Sequence, residues 1–179
     1  FPLIFILLWS SAFITTKPIV NNSEPFTALG FRFLIVSFGF FLFAIYKKNK
    51  IFSSKQNVLS SVLSGILFHG IYLGGVFFSI SKGLPTGIAA LIVTLQPILT
   101  NVLAGPLLGE KVIWQQWIGV LLGFFGAVLV LGFDIGYDLP TVGIIATFIS
   151  LISVTAATIW QKKISNNLPL PVSNMYQAI

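Results

Sequence analysis

Two apolar blocks, residues 87–108 and 114–133, are separated by a minimal polar joint, Gly109-Glu110-Lys111. Each block is long enough to cross a bilayer core of ~30 Å as a helix. So short a joint forces the two helices to lie antiparallel and adjacent. Gly109 can adopt the left-handed conformation that ends the first helix. Glu110 then opens the second, where the helix dipole favours a negative charge. Pro97 interrupts the first block near its middle, and Gly119, Gly123 and Gly126 line up on the second. This hairpin is a piece of a polytopic membrane protein.

Composition agrees with that reading. Of 179 residues, 56% are hydrophobic and 8% charged, against roughly 25% charged in a soluble domain. Such a chain cannot cover its surface with charge, so its solvent is lipid. The net charge of +6 does not point to nucleic acid, because the lysines sit in short links between apolar blocks, where membrane orientation requires them. There is no Cys, which excludes disulfides and thiolate chemistry. One His and four acids leave almost nothing for a metal site, and no cofactor is expected. The chain opens at Phe1 inside an apolar run, with no basic stretch before it. That reads as a truncation rather than as a signal peptide.

The apolar blocks predict six spans, at residues 1–20, 26–46, 58–81, 87–108, 114–133 and 141–160, with a seventh opening at Pro171. The fold class is all-α integral membrane, a polytopic helical bundle. The links after spans two, four and six hold Lys47, Lys48, Lys50, Lys55, Lys111, Lys162 and Lys163. The opposite links hold Lys82, with Lys17 close by. Basic residues mark the cytoplasmic side, so the start of span one is expected there.

A weak internal repeat adds to this. Lys17 is followed by Pro25, and Lys163 by Pro171, with an offset of 146 residues in both cases. Five spans separate the copies, so the second crosses the membrane the opposite way. Inverted repeats are a mark of transporters whose substrate site lies between the halves. The expected organisation is a first five-helix repeat at 1–133 and the start of an inverted second repeat at 141–179. A complete protein would have about ten spans on this pattern, and this chain alone is expected not to transport.

The runs LLWSSAFITTKP at 7–18, Pro25 to Arg32, LIVTLQPILTNVLAGPLLGEK at 91–111, WIGVLLGFFGAVLVL at 117–131 and TAATIWQKKI at 155–164 together resemble the drug/metabolite transporter superfamily in its EamA-type branch. The resemblance covers essentially the whole chain and rests on order and spacing. It implies two five-helix repeats, an inner or plasma membrane location, and movement of small metabolites. Trp9 and Lys17 match the first-helix motif, Arg32 the second-helix arginine, and Pro97 and Glu110 the proline and joint around the fourth helix. Small multidrug members of the superfamily use a carboxylate inside the first helix. Span one here has none, so that proton-coupling mechanism does not transfer.

Polar groups inside a bilayer are costly and tend to face the bundle interior or a watery cavity. Trp9 and Thr16 share a face of span one at helical spacing. Gln96 and Asn101 flank Pro97, which frees a backbone carbonyl one turn earlier; the plainer reading is a kink, with Gln96 bonded to a neighbour. His69 and Tyr72 form an intramembrane titratable pair on span three. The histidine could serve proton coupling or be a satisfied core residue. Trp9, Thr16, His69, Tyr72, Gln96 and Asn101 are therefore the candidate substrate-binding residues. Lys17, Arg32, Pro97, Gly109 and Glu110 are assigned structural roles, with Arg32 pairing with a carbonyl or a carboxylate. Gly70/Gly74 and Gly119/Gly123 are expected to let helices approach closely.

The function these features favour is secondary transport of a small organic metabolite across the cytoplasmic membrane. The partners are lipid and that metabolite, with no nucleic acid and with a homodimer left open. No GxxxxGK[ST] run is present, so ATP is not bound by a P-loop. The alternatives are a non-transporting assembly subunit and a membrane-embedded enzyme. The latter requires a clustered acid, base or metal site, which the sequence does not offer.

Overall fold

A computed structural model describes residues 2–109, 113–131 and 139–179. Glu110, Lys111, Asp134 and Asp138 lie outside the described residues, as do the side chains of Trp9 and Phe13. Among the described residues seven helices follow one another: α1 (Pro2–Asn22), α2 (Pro25–Tyr46), α3 (Lys55–Ser81), α4 (Thr86–Leu108), α5 (Trp114–Leu131), α6 (Thr141–Ile164) and α7 (Leu170–Gln177). By length and composition α2, α3, α4 and α6 can each cross a membrane. The chain is an all-α integral membrane protein with several spans.

Local chemistry sets the helix ends. Pro25 opens α2, where its missing N–H costs nothing. The Ser54 hydroxyl accepts the Asn57 N–H at 3.3 Å and caps α3. Gly109, at φ 69°, ends α4 in the left-handed conformation. Two helices run further than the apolar pattern indicates. The capped polar turn at Lys55 starts α3 ahead of residue 58, and α6 continues past Trp160 to Ile164, its last turn carrying Lys162 and Lys163 where the dipole favours cations.

Helix α6 sits at the centre, against both α3 and α4. Its buried seam runs Gly143, Thr147, Ser150, Val154 and Ala157, small side chains that let α3 close in. Gly75 of α3 meets Ser150 and the Ala146 carbonyl, and Gly143 faces Leu84 and Ser79. Thr147, Ser150, Thr155 and Thr158 each donate to the carbonyl four residues back, at 2.8–2.9 Å. Their hydroxyls thus enter the interior already satisfied.

The short α7 is wedged between α2 and α3. Ser37 donates to the Met175 carbonyl at 3.3 Å, and the Tyr176 hydroxyl to the Ile51 carbonyl at 3.1 Å. The outer faces of α1, α2 and α5 expose Leu7, Phe31, Ile35, Leu122 and Phe125. An apolar surface of this kind belongs in lipid. The glycine expectation is corrected in part. A methyl group added at Gly74 would meet the Phe26 ring at 3.4 Å, but one added at Gly70, Gly119, Gly123 or Gly126 would meet nothing within 4 Å. Among the described residues no helix packs within van der Waals contact of those four positions.

Candidate functional site

A cavity of about 270 Å³ lies between α1, α2 and α3. Thr16 enters it from α1, Arg32 and Phe33 from α2, and His69 and Tyr72 from α3. Arg32 is the eighth residue of α2, ~10 Å along its axis at 1.5 Å per residue. Three of the candidate binding residues, Thr16, His69 and Tyr72, thus share one space with Arg32.

The stretch of α3 that carries His69 and Tyr72 is wound more widely than an α-helix. Residues Ile66–Leu73 form a π-helical segment, a geometry frequent at functional sites. The wider turn changes how backbone carbonyls are presented, and the Leu67 carbonyl accepts the Ser153 hydroxyl of α6 at 2.8 Å. A side chain from the central helix therefore fastens the wall of the cavity.

The His69 ring lies 4.6 Å from the Phe33 ring and 5.4 Å from the Phe68 ring, which also meets Tyr72 edge-on at 5.4 Å. His69 Nδ1 is buried and has no hydrogen-bond partner among the described residues. Tyr72 is 2% exposed. Thr16 is buried, and its hydroxyl donates to the Ala12 carbonyl at 2.6 Å, which leaves only acceptor capacity for anything in the cavity. Arg32 makes neither of the expected bonds among the described residues. Its guanidinium carbon instead stands 6.0 Å from the Phe33 ring centre, within cation–π range. Aromatic packing on α2 takes the place of a carbonyl or a carboxylate.

Gln96 and Asn101 lie on α4, away from this cavity. The helix breaks at Thr94-Leu95 and restarts at Gln96, because Pro97 has no N–H to offer the Val93 carbonyl. The Gln96 amide donates to the Thr158 hydroxyl of α6 at 3.0 Å, so it bonds a neighbouring helix. Asn101 is half-buried on the same helix, and Lys17 is exposed near the end of α1. A second open space of about 610 Å³ runs between α2, α3 and α7. Phe33 and His69 line it as well, and so form the partition between the two spaces.

Sequence reasoning did not find Phe33, Phe68 or Ser153. The two phenylalanines sit beside residues already singled out, Arg32 and His69, and that adjacency was the available signal. Ser153 was one hydroxyl in a Ser/Thr-rich helix, with nothing local to mark it. Among the described residues no group of three His, Asp or Glu could hold a metal ion.

Comparison with known proteins follows the same lines. The chain is 25% identical over 170 residues to a protein of Escherichia coli named "Probable amino-acid metabolite efflux pump", a match covering 94% of this chain and 54% of that protein. It is 26% identical over 161 residues to "Uncharacterized transporter YvbV" of Bacillus subtilis, covering 88% of this chain and 51% of the relative. The chain therefore spans about half the length of the curated relatives it matches. No solved structure matches it significantly. The profile of the EamA-like transporter family matches residues 1–132, and the chain belongs to that family.

Proposed function

We propose that this chain is part of a secondary transporter that moves a small organic metabolite across the cytoplasmic membrane. The observation that carries the reading is the cavity between α1, α2 and α3. It places a guanidinium, an imidazole and a phenol among apolar walls in a helical bundle, as solute sites within membranes are built. Residues 1–133 form one five-helix repeat and residues 141–179 begin an inverted second one. The family match ending at residue 132 supports that division. The start of α1 faces the cytoplasm, on the strength of seven lysines in the links after spans two, four and six. The relatives named above are a pump and a transporter by name, which favours carriage of a solute over catalysis.

The test is flux. The intact protein, reconstituted in sealed liposomes, should give saturable, temperature-dependent movement of at least one solute from a panel of labelled amino acids and their deaminated acids. Folded protein that moves none of them under imposed proton, sodium or solute gradients would refute the reading.

A further inference from the structure

We propose that the cavity between α1, α2 and α3 binds an apolar monocarboxylate anion, with Arg32 holding the carboxylate. The proposal rests on the transport reading above and specifies its solute. The first argument is charge. An arginine within a membrane helix is expensive and ordinarily pairs with an acid or a carbonyl. Among the described residues Arg32 has neither, only the face of Phe33. A guanidinium presents its donors in a planar fork that matches a carboxylate in two parallel bonds. An anionic solute supplies the missing charge.

The second argument is the idle polar atom beside it. His69 Nδ1 is buried without a partner. Tyr72 is buried too, its ring packed edge-on against Phe68. Both line the same cavity as Arg32. A buried polar atom that bonds nothing is costly, and an imidazole carrying its proton on Nδ1 would donate it to an oxygen-rich ligand end.

The third argument is what the rest of the lining lacks. Leu8, Ala12, Val36, Phe68, Val76 and Phe77 make the walls apolar, and among the described residues no Asp or Glu lines the cavity. An ammonium group would find no counter-charge there, so a deaminated acid fits better than a zwitterion. The volume of about 270 Å³ is room for a small organic acid rather than for a single ion. A branched acid such as 4-methylpentanoate is of that size, whereas an inorganic anion would leave the apolar walls uncovered.

The experiment is binding to the intact protein in lipid nanodiscs, followed by tryptophan fluorescence and thermal shift. The probes are 4-methylpentanoate, its neutral amide, leucine and chloride. The acid should bind at least tenfold more tightly than the amide and than leucine, and chloride should not displace it. Arg32→Gln should remove that preference, while Arg32→Lys keeps part of it; circular dichroism and size-exclusion profiles identify variants that have not folded. Equal binding of acid and amide, a full acid preference in folded Arg32→Gln, displacement by chloride, or no binding of any probe would each overturn the proposal. Saturable flux of other solutes in the liposome assay would in those cases leave the transport reading standing.

Discussion

Gly65 is where this bundle is least able to accept one more carbon atom. It lies on α3 where α7 crosses. A Cβ built there would fall 2.7 Å from both the carbonyl carbon and the Cα of Gln177, and nearer still to its carbonyl oxygen. These are backbone atoms, and no side-chain rotation can move them aside. To restore carbon–carbon contact at 3.5–4.0 Å, α7 has to retreat by about 1 Å. The hydrogen bond of Ser37 to the Met175 carbonyl is 3.3 Å long, and the hydroxyls of Ser61 and Ser173 are 3.4 Å apart. Both would be lost in that retreat.

For Gly65→Ala the overpacking term is about 1–3 kcal/mol. The two lost bonds add about 0.6 kcal/mol each on the scale of membrane hydrogen bonds. Alanine's better helix propensity returns about 1 kcal/mol. The net expectation is a loss of about 2 kcal/mol. Gly70→Ala, five residues on in the same helix and facing open space, should gain between 0 and about 1 kcal/mol. Reversible unfolding of the intact protein by SDS in mixed micelles, followed by tryptophan fluorescence, compares the two variants with the parent. A Gly65→Ala protein as stable as Gly70→Ala would refute the docking of α7 against α3.

Other contacts yield smaller effects. Ser153→Ala should cost about 0.5–1.5 kcal/mol, since it strips the Leu67 carbonyl of its 2.8 Å partner. Faster amide exchange across the π-helical segment should accompany it. A double-mutant cycle of Gln96→Ala with Thr158→Ala should return a coupling of about 0.6–1.7 kcal/mol for the 3.0 Å bond between them, and a coupling near zero would count against the α4–α6 contact. Pro97→Ala restores an N–H for the Val93 carbonyl. Spin labels at Gly87 and Leu107 should report a longer, narrower distance as α4 straightens, and an unchanged distribution would mean that the proline does not cause the break.

How much of this was legible in the sequence differs between elements, for physical reasons. Span positions follow from runs of apolar residues and from breakers at Pro25, Pro85 and Gly109, all local signals. The small-residue seam of α6 was legible as well. Gly143, Thr147, Ser150, Val154 and Ala157 recur at alternating steps of four and three, the spacing of a helix that packs closely along one line. By contrast, nothing in ILFHGIYL separates a π turn from an α turn, and the hydroxyl that meets its Leu67 carbonyl comes from Ser153, 86 residues away.

Arg32 shows the same limit. Its own neighbourhood indicates a costly charge beside an aromatic ring, and pairing with a carbonyl or a carboxylate was the expectation. Whether an acid reaches it is decided by how α1 and α3 pack against α2. In the bundle the neighbours they bring are a threonine whose proton is already committed, a histidine with a free nitrogen and a tyrosine packed on Phe68. A charge stabilised by its own fold would be surrounded by committed acceptors. This one is exposed beside an imidazole nitrogen that bonds nothing among the described residues, an arrangement suited to a ligand that brings its own oxygens.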